Sequence, residues 1–200
     1  MYMLNMAQLI FKYGTMSSAK TCSLLTFCYN LEERGLKFLC LKPDIDTRDG
    51  EGVIKSRIKG LERECLTIYN DSNLFEAINN LFTKTQTKID YVLIDESQFL
   101  TINHINELSY IVDLLDINVI CFGLRTDFKS HLFPASKRLF EIADKIEEIE
   151  SICHCGNKTM FNARFDDNGD IVLDGDQIEI GGDDRYIALC RKCYYKKINN

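Results

Sequence analysis

The stretch FKYGTMSSAKTCSL, Phe11 to Leu24, limits the possible folds of this chain more than any other. Before it, QLIFKY (Gln8 to Tyr13) reads as a short buried strand. After it, KTCSLLTFCYNLEERG carries apolar residues at helical spacing until Gly35 stops the pattern. Strand, short loop and helix in that order present backbone N–H groups and a helix N-terminus to one point, an arrangement suited to phosphate. The loop nearly spells G-x-x-x-x-G-K-[ST], with Gly14, Lys20 and Thr21 in place and Ala19 where the second glycine belongs. Alanine removes no donor. The methyl it adds is harmless at a helix-like φ and costly if the backbone must take a positive φ.

The alternation continues down the chain. KFLCLK (Lys37 to Lys42) reads as a strand, NLFEAINNLFTKT from Asn73 as a helix, and YVLID (Tyr91 to Asp95) as an unbroken apolar strand ending in a carboxylate. INELSYIVDLLD is expected to be helical, NVICFGL (Asn118 to Leu124) a buried strand and SKRLFEIADKI a further helix. Such alternation predicts an α/β fold over residues 1–150, a parallel sheet flanked by helices, with its ligand beyond the carboxyl ends of the strands. Asp95 then stands where a magnesium nucleotide site needs an acid, and Glu96 follows it. The stretch Lys42 to Lys59 is polar enough to be expected as a mobile loop.

From Ser151 the character changes. Strand-like pieces (MFNARF, DIVL, QIEI) and turn signals at DDNGD and GGDD predict a small β-rich unit over 151–200. It carries Cys153 and Cys155 at one end and Cys190 and Cys193 at the other, a spacing that points to a closed, structural tetrathiolate zinc site. His154, between two ligands, could substitute for a neighbour as a ligand, but a histidine in that position more often points away. The remaining five cysteines, Cys22, Cys28, Cys40, Cys65 and Cys121, are scattered singly. With an odd total of 9 and no secretory signal, reduced thiols fit better than a disulfide framework. A formal charge of -6 argues against a protein that coats nucleic acid, and the short basic run RKCYYKK reads as a solvated face. No membrane span is evident, and a cytoplasmic location is expected.

Taken in order, MAQLIFKYGTM, DTRDG, VLIDESQFL, FGLRTDF, CHCGNK, DGDQIEIGG and YIALCRKCY resemble the cytosolic, zinc-containing (type II) thymidine kinases over nearly the whole chain. That resemblance implies a P-loop NTPase (RecA-like) fold with a zinc-binding lasso domain, and transfer of the γ-phosphoryl group of ATP to the 5′-hydroxyl of thymidine. By position, Gly14, Thr15, Met16, Ser17, Ser18, Ala19, Lys20 and Thr21 would hold the triphosphate. Asp46, Arg48 and Gln98 would join them in the nucleotide site. Thr21 and Asp95 would hold magnesium, and Glu96 would be the general base. Phe99, Leu124 and Phe128, which on their own read as core, would line the base. Gln177, Ile178, Glu179, Ile180 and Gly181 would form the lasso over thymidine, with Tyr186 at its far end. The resemblance further implies a homotetramer, feedback inhibition by thymidine triphosphate, and a first five residues that form an added leader.

Two other functions fit parts of the sequence. One is a P-loop ATPase with a zinc ribbon acting on single-stranded nucleic acid, which the acidic charge and the lack of a basic groove disfavour. The other is a non-catalytic nucleotide-binding module in which Ala19 marks decay, against which Lys20, Thr21, Asp95 and Glu96 are all retained.

Overall fold

The apolar runs become neighbours in one parallel sheet. In the computed structural model, which describes residues 6–46, 50–177 and 185–199, its centre is built from β1 (Leu9–Gly14), β2 (Phe38–Pro43), β6 (Tyr91–Ile94) and β7 (Asn118–Leu124). The edges are β5 (Leu66–Ile68) and β8 (Lys145–Glu148). The order is β5-β2-β6-β7-β1-β8, with every pairing parallel.

Helix α1 (Lys20–Glu32) covers one face, while α2 (Leu74–Thr85), α3 (Ile102–Leu115) and α4 (Pro134–Ile142) cover the other. Strand periodicity sorts the side chains between them. Leu9, Phe11, Leu41, Val92, Ile94, Val119 and Cys121 pack with the three helices. Cys40, Leu93, Ile120 and Phe122 pack with Leu24, Leu25, Cys28 and Leu31 of α1. Burial on both faces is why these strands read as continuous apolar runs. Helix starts follow local chemistry: the Asn73 side chain accepts from Glu76 N at 2.9 Å, and Pro134 opens α4.

Two expectations need correction. SKRLFEIADKI does not stay helical, because α4 ends at Ile142 and the chain continues into edge strand β8 beside β1. Asp144 ties that junction, its N–H donating to Leu9 O and its carboxylate accepting from Leu9 N at 2.8 Å. A half-exposed, charged edge strand carries little hydrophobic signal. The segment expected as a mobile loop contains β3 (Val53–Lys55), which forms an antiparallel hairpin with β4 (Glu62–Glu64) and buries Ile54 against the α1 face. Residues 47–49 of that segment lie outside the described residues, as do residues 1–5 with the expected leader.

Beyond the main sheet, β9 (Phe161–Phe165), β10 (Ile171–Val172) and β11 (Tyr186–Leu189) form an antiparallel sheet in the order β10-β9-β11, followed by α5 (Arg191–Ile198). The run RKCYYKK is not wholly solvated. Tyr194 is buried and stacks on Phe161, ring centroids 4.4 Å apart. Of QIEI only Gln177 is described. No helix among the described residues is long and apolar enough to cross a membrane.

Leu93 sits fully buried in the centre of the sheet. Leu93→Ala should lower unfolding stability by about 3 kcal/mol, read from the urea midpoint, because the rigid sheet cannot collapse into the cavity.

Candidate active site

The loop after β1 curls back over its own first residue. A Cβ on Gly14 would lie 2.3 Å from Ser18 Oγ and 2.6 Å from the Ile149 carbonyl oxygen, so nothing larger than glycine fits. Ser17 and Ala19 both take left-handed conformations, at φ 59° and 63°. Ala19 thus falls on the costly side of the alternative posed by its sequence position, at about 1–2 kcal/mol for an L-residue there. It caps α1 without a side-chain hydrogen bond and is exposed, so the cost is torsional rather than a clash. Lys20 is buried and donates to Thr15 O at 2.8 Å, holding the loop around its own ammonium group. From outside, Asn162 accepts from Met16 N at 2.8 Å, and the Thr15 hydroxyl meets those of Thr159 and Ser151 at 2.8 and 3.0 Å. These contacts lace the small sheet onto the phosphate loop.

Opposite the loop, at the carboxyl end of β6, Asp95 accepts a hydrogen bond from the Thr21 hydroxyl at 2.8 Å. Burial, and then the neighbouring Glu96 charge, push its carboxyl up to about 7, against the Thr21 bond and the Lys20 charge. Its other oxygen, Oδ1, is buried with no hydrogen-bond partner among the described residues. A buried, orphaned carboxylate oxygen beside a threonine hydroxyl fits a small oxygen-seeking cation such as magnesium.

Glu96 takes a left-handed conformation, φ 48°, at the start of the 3-10 turn Ser97–Phe99. Gln98 holds it there: its Nε2 donates to Glu96 Oε2 at 2.6 Å and its Oε1 accepts from Leu124 N at 2.9 Å. Gln98, expected among the nucleotide-binding residues, therefore has both amide ends engaged by protein. The turn comes this close to β7 only because Gly123 lacks a side chain, whose Cβ would sit 2.6 Å from Ser97 Oγ. Asp46 is buried near Lys42, whose Nζ lies 4.0 Å from its Oδ2 and donates to Gly50 O at 2.8 Å. Arg48 lies outside the described residues.

Phe99 meets Phe133 edge-on at 6.0 Å, and Leu124 and Phe128 are buried at the end of β7 and in the loop beyond it. Gln177 donates to Asp127 Oδ2 at 2.8 Å, beside Phe128. Tyr186 opens β11 opposite Arg164. Ile178, Glu179, Ile180 and Gly181 lie outside the described residues. Sequence reasoning missed Lys42, Asn162 and Arg164, polar residues that the fold buries. Their signal was a charge or amide inside a strand-like run.

The sulfurs of Cys153, Cys155, Cys190 and Cys193 all lie within 4.8 Å of one another. Tetrahedral zinc–thiolate bonds of about 2.3 Å place sulfurs about 3.8 Å apart, so the four fit one such ion. Hydrogen bonds from Asn157 draw the Cys155 thiol down to about 6, and its contact with Cys155 pushes Cys193 up to about 12. His154 does not point away as expected. Its ring nitrogens lie 3.6 Å from Cys153 Sγ and 3.6 Å from Cys193 Sγ, so the imidazole bridges the cluster from outside.

A family model described as thymidine kinase matches residues 7–194. The chain is 45% identical over 195 residues to a thymidine kinase of Zymomonas mobilis subsp. mobilis, covering 98% of this chain and 100% of that one. It is 44% identical over 192 residues to one from Mannheimia succiniciproducens (96% and 97% covered). It is 46% identical over 197 residues to one from Streptococcus gordonii (98% and 100% covered).

Ala19→Gly should raise unfolding stability by about 1 kcal/mol, measured by thermal unfolding without ligand, since glycine takes this φ without strain. A lowered midpoint would show that the loop depends on the methyl.

Proposed function

This chain belongs to the thymidine kinase family, and on that premise we propose that it transfers the γ-phosphoryl group of ATP to the 5′-hydroxyl of thymidine, giving dTMP and ADP. One observation carries the reading: the Thr21 hydroxyl of the phosphate loop donates to Asp95 at 2.8 Å, with the Lys20 and Glu96 charges both acting on that carboxyl.

Phosphoryl transfer is mainly positioning and neutralisation of charge. The backbone N–H groups of Gly14 to Thr21 and the N-terminus of α1 take the triphosphate, with Lys20 exchanging the Thr15 carbonyl for a phosphate oxygen. Thr21 and Asp95 are the residues that would hold magnesium, which when bound would offset charge on the phosphate oxygens. Glu96 accepts the proton of the 5′-hydroxyl as its oxygen bonds to the γ-phosphorus. The bond from that phosphorus to the bridging oxygen breaks, and its electrons leave with ADP. Gln98 fixes the carboxylate for this step. Asp46 and Arg48 join the nucleotide site by the family resemblance. Phe99, Leu124 and Phe128 enclose the base, and the segment from Gln177 through Gly181, with Tyr186, closes over it.

Zinc on the four cysteines has a structural part, tying both ends of that closing segment to one point. The same reading includes a cytoplasmic homotetramer inhibited by thymidine triphosphate. An ATPase driven by single-stranded nucleic acid finds no support beside the family match and a charge of -6.

The direct test incubates the purified chain with magnesium ATP and each of the four natural deoxynucleosides plus deoxyuridine. Monophosphate from thymidine is the expected product, and ATP turnover that responds to single-stranded DNA but not to thymidine would reverse the reading. Glu96→Gln should lower kcat by about 10²–10⁴ while calorimetric binding of magnesium ATP persists, because only the base is lost. An unchanged kcat would remove Glu96 from that role. Metal analysis should find one zinc per chain. Cys153→Ser should raise the KM for thymidine more than that for ATP, and equal KM values in variant and wild type would separate the metal from the closing segment.

A further inference from the structure

A buried arginine in β9 has no part in the chemistry above, yet it touches three things that matter to it. Arg164 is 7% exposed, and its guanidinium carbon lies 3.7 Å from the centroid of the Phe128 ring. Its Nη1 donates to Asp176 O at 3.2 Å and its Nη2 to Asp174 O at 3.3 Å. Its backbone pairs across the ladder with Tyr186. One residue thus meets the Phe128 ring, the turn Asp174–Asp176 and strand β11.

The geometry requires this side chain. A guanidinium can lay its flat face on a ring while its in-plane N–H groups reach two carbonyls, whereas an ammonium offers a point charge with no face. A buried cation is tolerated only while its donors and charge are answered. Part of that answer comes from the two carbonyls, which are in reach only when the turn is in place. The turn is shaped for the contact, since Gly175 at φ +131° has no room for a Cβ, which would lie 2.5 Å from Arg164 Nη2. The Phe128 loop grips the same turn through Lys129 Nζ to Gly175 O at 2.8 Å and Asp127 to Gln177 at 2.8 Å. On the opposite side, the Tyr194 hydroxyl donates to Phe128 O at 3.2 Å, joining the ring's backbone to the helix that follows Cys190.

We propose that Arg164 is a positioning residue for the nucleoside: it locks the Phe128 ring and the turn Asp174–Asp176 into one unit that holds the aromatic wall in place. Arg164 acts through its neighbours and takes no part in moving the phosphoryl group. The inference rests on the thymidine kinase reading and assigns to it a residue that fixes nucleoside affinity separately from ATP affinity.

Steady-state kinetics of the zinc-loaded full chain test it, with thymidine and ATP varied in turn. Arg164→Lys keeps the charge and loses the stack and the paired donors. Gly175→Ala, on an exposed turn, pushes on the same contact from the other side and carries the test if Arg164→Lys does not fold. Each should raise the thymidine KM at least fivefold, with kcat and the ATP KM within twofold of wild type. The double variant should be no worse than the poorer single, because both break one contact. A thymidine KM unchanged in the folded variants, an ATP KM rising alongside it, or effects that multiply in the double variant would each overturn the role. Wild type run beside them separates the two levels: if it makes no dTMP the kinase reading falls and this inference with it, whereas an active wild type with unshifted variants removes only Arg164.

Discussion

A single hydrogen bond, from the Thr21 hydroxyl to Asp95 at 2.8 Å, joins the two parts on which the site depends. Thr21 belongs to the helix that leaves β1, and Asp95 follows β6, with β7 spacing the two strands apart. Parallel pairing through β7 brings both strands to the same edge, so the loop ammonium, the hydroxyl and two carboxylates converge without any long loop to carry them. The low exposure of Asp95 raises its proton affinity and leaves one oxygen without a partner. Both features suit the cation and nucleotide proposed for this site.

The small antiparallel sheet is not a passive appendage to this centre. Asn162 in β9 holds the loop through Met16 N, and it also donates to Thr126 O at 3.0 Å, next to the Phe128 loop. A single buried amide therefore bridges the loop after β1 and the loop after β7. The hydroxyl cluster of Thr15, Ser151 and Thr159 adds a second seam.

Much of this was legible in the residues. Strands buried on both faces announce themselves as unbroken apolar runs, and YVLID gave away the place of Asp95 by ending in a charge. Gly14, Lys20 and Thr21 were readable from spacing, and the cysteine quartet from its pairs. What stayed hidden had physical reasons. Edge strand β8 is KIEE, whose exposure on the sheet rim leaves no alternation to detect. Ala19 could be flagged but not judged, because its cost depends on a dihedral angle set by the fold. Arg164 and Lys42 drew no reading of their own, since only tertiary contacts reveal that their groups are answered inside.

The unequal treatment of the three glycine positions bears on how such chains are recognised. At Gly14 and Gly123 a methyl would collide with packed backbone or with the turn that holds Glu96, whereas the methyl of Ala19 faces outward and meets only torsional resistance. Drift can therefore erode the second glycine of a phosphate loop while the protein keeps its shape, but not the first. A signature that insists on both glycines would discard working members of such a lineage. One weighted toward Gly14 and the distant Gly123 would keep them.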